Sequence, residues 1–173
     1  DYMWSTVNDS GKKHAPENLF DRISADHLIN HIEKLEGPFV GAWHSDNAHY
    51  PYVAEEQNVL YKPCSHNRDQ GPTEIRNCYD NAVTNLFDTT DYVLRKLDLE
   101  NTIVIITSDH GEAFNEHGFY FHSVDYHQES VRIPFVMDVP DRRKERIPKE
   151  SLDNLKKNQT RVISLLDFMP TVM

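Results

Sequence analysis

Residues 101–118 read NTIVIITSDHGEAFNEHG. The opening stretch, Asn101–Thr107, is dominated by β-branched residues without polar alternation. That pattern predicts a strand covered on both faces, as in a parallel sheet. Ionisable chemistry follows at once: four histidines and four carboxylates fall between Asp109 and His127. Neighbouring residues on a flat strand point to opposite faces, so Asp109 and His110 can hold one ion only if the chain turns there. Gly111 permits that turn. A carboxylate oxygen with an imidazole nitrogen suits zinc or manganese, or calcium if more oxygens join. The plainer alternative makes Asp109 a turn cap and His110 a satisfied surface histidine.

Upstream, Pro72-Thr73 opens a long amphipathic helix whose stripe runs through Ile75, Tyr79, Ala82, Val83, Leu86, Thr90, Val93, Leu94 and Leu97. Before it lies a long polar loop, residues 44–72, and before that a short apolar run, Phe39–Trp43, expected as a strand. Ser24 reads as the N-cap of an earlier helix carrying Leu28, Ile32 and Leu35, ended by Gly37-Pro38. Residues 1–22 read as polar and irregular. Downstream, loop Ser108–Glu129 leads to an expected strand over Arg132–Val139, with Pro134 at its edge or start. Residues 141–157 read as a solvated charged excursion, and Ser164-x-x-Asp167 as a capping box opening a last helix with Pro170 in its first turns. Strands alternating with long helices predict βαβ units: an α/β fold with a mostly parallel sheet flanked by helices.

In a βαβ unit both strands end at one edge of the sheet, where open α/β folds bind ligands. The loop after Phe39–Trp43 carries SDNAHYPY (45–52). Topology therefore directs His49 towards Asp109 and His110.

The 173 residues allow one domain with a core. A formal charge of -10 argues against a nucleic-acid partner. An anionic ligand would need a local cation, most simply a bound metal. No apolar run reaches the ~18 residues of a membrane span, and no signal peptide is evident. The start at Asp1 and the stop at Met173 in mid-pattern suggest a piece of a longer protein. Cys64 and Cys78 could be a disulfide or two free thiols. The sequons at Asn8 and Asn158 are common by chance and carry little weight.

Taken together, these segments resemble the sulfatase family of the alkaline-phosphatase-like superfamily. PFVGAWHSDNAHYPY (38–52) is similar to its strand-plus-HxPY segment, and Ile75–Leu97 to its YDNAI helix. NTIVIITSDHGEAFNEHG resembles the T-SDHG-x-x-x-x-EHG signature. ESVRIPFVMDVP (129–140) and SLLDFMPTVM (164–173) resemble its E-x-x-RVPLI strand and S-x-x-D-x-x-PT helix. The resemblance implies an alkaline-phosphatase-like fold, with residues 1–173 the C-terminal part of a catalytic domain. It implies metal-dependent hydrolysis of sulfate esters. Asp109 and His110 would be metal ligands, and His49 a catalytic and substrate-binding group. His122 would be another such group, though spacing after EHG varies in the superfamily. Calcium is the favoured ion, with zinc or manganese as alternatives. The nucleophile, formylglycine in a true sulfatase, would lie upstream, so this piece is expected to be inactive alone. The partners implied are a small-molecule, glycan or lipid anionic ester and the rest of the catalytic domain. The implied location is extracytoplasmic, with a membrane anchor conceivable upstream.

Two rival readings share these residues: a phosphoethanolamine or phospholipid-headgroup transferase (or other phosphoester enzyme) of the superfamily, and a non-catalytic sulfatase-like binding domain. A plain α/β binding module is a third, favoured only if no metal binds. Cys64-Ser-His-Asn-Arg68 resembles the C-x-P-x-R modification motif, but it lacks the proline and follows the His49 loop instead of preceding it. It reads as ordinary loop. The family often supplies a lysine near the ester, yet no lysine lies between Glu100 and Val139. Arg132 is expected to pair with an acid such as Glu129, His117 to serve a turn, and Asp80 and Asp91 to be solvated or capping. His127 receives no role.

Overall fold

The computed structural model of the chain describes residues 20–122 and 126–172. The sequon at Asn8 and most of the polar 1–22 stretch lie outside them. The chain divides into two compact units, Asp1–Leu97 and Asp98–Met173, and each is described by itself.

In the first unit, α1 (Phe20–Ile32) and α2 (Pro72–Leu94) pack together. Ala25, Ile29 and Val93 form the buried centre, flanked by Leu28, Trp43, Tyr92 and Leu97. Helix α1 starts four residues before the expected cap. Ser24 is interior, and its Oγ donates to the Asp21 carbonyl while accepting from Trp43 Nε1 at 2.8 Å. Phe39–Trp43 is not a strand: it joins no ladder among the described residues, and Val40 is fully exposed. An apolar run cannot form a strand without a partner for its backbone groups.

The buried face of α2 is Ile75, Cys78, Asn81, Ala82, Asn85, Thr89 and Val93, more polar than the expected stripe. Its asparagines pin the preceding loop. Asn81 Oδ1 accepts from the backbone N–H groups of Leu60 and Tyr61, both at 2.8 Å, and its Nδ2 donates to the Tyr61 carbonyl at 3.0 Å. Asn85 Oδ1 accepts from Glu55 N and Asn58 Nδ2, and Asn77 Nδ2 donates to Pro63 O. A 3₁₀ turn at Glu56–Asn58, another at Arg68–Gln70 and a Cys64–Cys78 disulfide complete the loop. The long 44–72 segment is thus an ordered strap held to α2.

In the second unit, β1 (Val104–Thr107) pairs with β4 (Phe135–Asp138) in antiparallel register, from Val104 opposite Asp138 to Thr107 opposite Phe135. This corrects the expected parallel pairing: the described sheets are two antiparallel pairs. Strand β1 is also not covered on both faces, since Ile106 is 38% exposed. The second pair, β2 (Ala113–Phe114) with β3 (Tyr120–Phe121), is a hairpin inside the expected loop. Pro134 does sit just before its strand, and its carbonyl accepts from Thr107 Oγ1. A short α3 (Gln128–Val131) precedes β4. After β4, α4 (Asp141–Lys144) and α5 (Lys149–Asn158) form the exposed charged excursion. The capping box at Ser164 and Asp167 is present, leading through a 3₁₀ turn into α6 (Phe168–Val172). The Phe168 ring meets Phe135 of β4 edge-on. The described elements run α1, α2, β1, β2, β3, α3, β4, α4, α5, α6, helices with two short antiparallel strand pairs in place of the expected mostly parallel sheet.

Candidate metal-binding and catalytic site

Ser108–His110 leaves the carboxyl end of β1 as a tight turn. Ser108 Oγ donates to the His110 carbonyl at 2.6 Å, and Asp109 Oδ1 accepts from His110 N at 3.0 Å. Gly111 is required here for space, not for a left-handed backbone. A Cβ at this position would stand 2.0 Å from the Glu129 carbonyl oxygen. Its N–H donates to the Ser130 carbonyl at 2.9 Å, tying the turn to α3.

The hairpin then returns the chain. Asn115 and Gly118 both adopt positive φ (75° and 86°), the conformation that suits those two residues. Asn115 N donates to Phe119 O at 2.7 Å, closing the turn. With Ala113 opposite Phe121 and Phe114 opposite Tyr120, the next step outward sets Glu112 opposite His122. The His122 ring stacks on His110, with centroids 3.8 Å apart, and its Nδ1 lies 3.4 Å from Glu112 Oε1.

His122 is therefore brought onto His110, which stands beside Asp109. Glu112, which sequence reading passed over, joins them. Its signal was the turn NEHG, from which the hairpin register could have been counted back. His49 belongs to the other unit. There, the buried Asp21 carboxylate accepts from Ser45 Oγ, Asp46 N (2.9 Å) and Asn47 N (3.1 Å), so α1 shapes the His49 loop. Tyr52, buried at φ 53°, locks the loop's far end edge-on against Tyr79 of α2.

One feature unites the three histidines. His49 Nδ1 lies 2.7 Å from the Tyr50 carbonyl, and His110 Nδ1 lies 2.7 Å from the Gly111 carbonyl. A carbonyl only accepts, so each Nδ1 carries a proton and Nε2 is the nitrogen left facing away. His122 faces a carboxylate with the same consequence. For His110 this is the arrangement of a metal-ligating imidazole oriented by its other nitrogen. Its Nε2 is 3.7 Å from Asp109 Oδ2. An ion about 2.0–2.2 Å from each ligand atom can span that gap, so the pair fits part of a metal shell. Among the described residues, no group of three His, Cys, Asp or Glu side chains is arranged to hold a metal.

His117 and Glu129 stand apart from this group. His117 Nδ1 contacts Glu129 Oε1, and the His117 ring stacks on His127 at 3.7 Å. Glu129 therefore takes His117 as its partner in place of the expected Arg132. Its carboxyl is held below the usual range, first by its own backbone amide and then by His117.

The Asp109–His110 turn at the end of β1, with His122 and Glu112 beside it, gathers carboxylate and imidazole groups of the kind that can ligate a cation. Comparison with known proteins supplies the family. The sulfatase family model matches residues 2–173, and the chain belongs to that family. Over 119 residues it is 28% identical to phosphoethanolamine transferase EptA of Salmonella typhimurium, covering 62% of this chain and 21% of that protein. Over 83 residues it is 40% identical to dog arylsulfatase K, covering 46% and 13%. EptA of Escherichia coli K12 is 26% identical over 119 residues. The chain thus spans about a fifth or less of these relatives' lengths. No solved structure matches it.

Proposed function

We propose that residues 1–173 are the C-terminal part of the catalytic domain of a metal-dependent sulfate-ester hydrolase. The observation that carries this reading is the Asp109–His110 turn, with one carboxylate oxygen and one oriented imidazole nitrogen at the end of β1. Those two residues would hold a divalent cation, completed by ligands from elsewhere in the whole protein. An imidazole nitrogen beside a carboxylate suits zinc or manganese, and calcium would need further oxygens. When bound, the cation would withdraw charge from the ester's nonbridging oxygens.

His49 and His122 are assigned to the substrate. With Nδ1–H held by the Tyr50 carbonyl, protonated His49 can give its Nε2 proton to the departing oxygen, an effect worth ~10²–10⁴-fold in rate. His122 presents Nε2 from its place on the His110 ring and can bind an ester oxygen there when protonated. The nucleophile, formylglycine for a sulfatase, is expected from another part of the whole protein. The Cys64–Cys78 disulfide supports an oxidising, extracytoplasmic compartment. No described helix is long and apolar enough to cross a membrane.

Transfer of a phospholipid headgroup is the second reading. The match to EptA favours it, because it covers more of this chain than the match to arylsulfatase K. The two are separated by assaying the full-length protein on an aryl sulfate and on a phosphoethanolamine lipid. The first reading expects sulfate release that falls ~10²–10⁴-fold in His49→Ala. Headgroup transfer without sulfate release would establish the second, and neither activity would refute both.

A further inference from the structure

We propose that Glu112 is a positioning residue that holds His122 in its Nδ1–H tautomer. The inference rests on the reading of His122 as a substrate-binding group and adds the residue that sets it. Of the three histidines, His49 and His110 are oriented by backbone carbonyls. His122 is oriented by a side chain. The Glu112 side chain is 6% exposed and that of His122 26%. A carboxylate so far out of water is costly unless partnered, and the hairpin register delivers His122 as a partner directly across the ladder.

The backbone agrees with this. Phe121, immediately before His122, has φ 71°. A left-handed conformation is rare for an aromatic residue and persists where the surrounding structure enforces it. The ladder ends in this abrupt turn, and His122 leaves it with its ring on His110 and its Nδ1 beside Glu112. The Glu112 oxygen accepts from Nδ1–H, so Nε2 is the nitrogen turned to substrate, where it can donate to an ester oxygen once it too is protonated.

The test uses the full-length protein loaded with zinc or calcium, labelled with ¹⁵N-histidine, at a pH where imidazole is neutral. Long-range ¹H–¹⁵N spectra, assigned with His122→Asn, report which ring nitrogen carries the proton. Wild type should show Nδ1–H at His122. Glu112→Gln, whose amide oxygen still accepts, should preserve that pattern. Glu112→Ala should shift the ring towards Nε2–H. In turnover, Glu112→Ala should lower kcat about 10–100-fold, the range for losing a histidine's orienting partner, with metal content unchanged. The double variant Glu112→Ala/His122→Ala should be no slower than His122→Ala alone.

Nε2–H in wild type, or a tautomer unmoved in Glu112→Ala, would overturn the proposal, as would effects that multiply in the double variant. If wild type turns over neither ester, the functional reading fails, and the tautomer spectra still decide the role of Glu112.

Discussion

Gly111→Ala tests how the Ser108–His110 turn is held. The new Cβ would stand 2.0 Å from the Glu129 carbonyl oxygen, 3.0 Å from its carbon and 3.3 Å from the Ser130 carbonyl carbon. All three atoms are backbone, so no side chain can rotate away. The closest contact is about 1.5 Å short of the ~3.5 Å at which nonbonded atoms sit comfortably. Either α3 retreats or the 108–111 turn does, and both movements break the Gly111 N–H bond to Ser130. Overpacking of this kind costs about 1–3 kcal/mol, and the lost hydrogen bond adds about 0.5–1.5 kcal/mol. The full-length variant should therefore lose roughly 2–4 kcal/mol in urea denaturation followed by circular dichroism. Because His110 is the preceding residue, its metal content should fall as well. An unchanged midpoint together with unchanged metal content would refute the claim that this glycine is demanded by close approach.

Two further predictions concern other parts of the chain. Asn81→Ala removes three hydrogen bonds to Leu60 and Tyr61 from a side chain that is 1% exposed. It should cost about 2–4 kcal/mol and open the 55–63 strap to limited proteolysis, and a protease pattern identical to wild type would contradict the role given to Asn81. Glu129 has a folded-state carboxyl held below its ordinary value, so its contribution to stability is complete above that ordinary value and is lost as pH falls through the lowered one. Glu129→Gln should flatten the acid limb of the stability–pH curve, measured as urea midpoints below about pH 5; an unaltered limb would count against the His117–Glu129 pair.

Much of the candidate site was legible in the sequence because its parts are local. SDHG follows an apolar run, and Gly111 comes directly after the two candidate ligands. Glu112 was missed because hairpin strands of two residues give no periodicity, although Asn115 and Gly118 mark the turn that fixes their register. The fold was less legible where a partner decides the outcome. Asn101–Thr107 reads as a doubly covered strand, but composition does not say which strand lies beside it, and β4 runs antiparallel. Phe39–Trp43 has strand composition and no ladder partner among the described residues. On α2, a stripe drawn from apolar residues could not find Asn81 and Asn85, which are buried because the strap's backbone needs their amides.

The central claim is that Asp109 and His110 hold a divalent cation. Elemental analysis of the exhaustively dialysed full-length protein, beside His110→Ala and Asp109→Asn, tests it most directly. Near-stoichiometric metal is expected in wild type, with strong depletion in both variants. Full retention of metal in both would contradict the assignment.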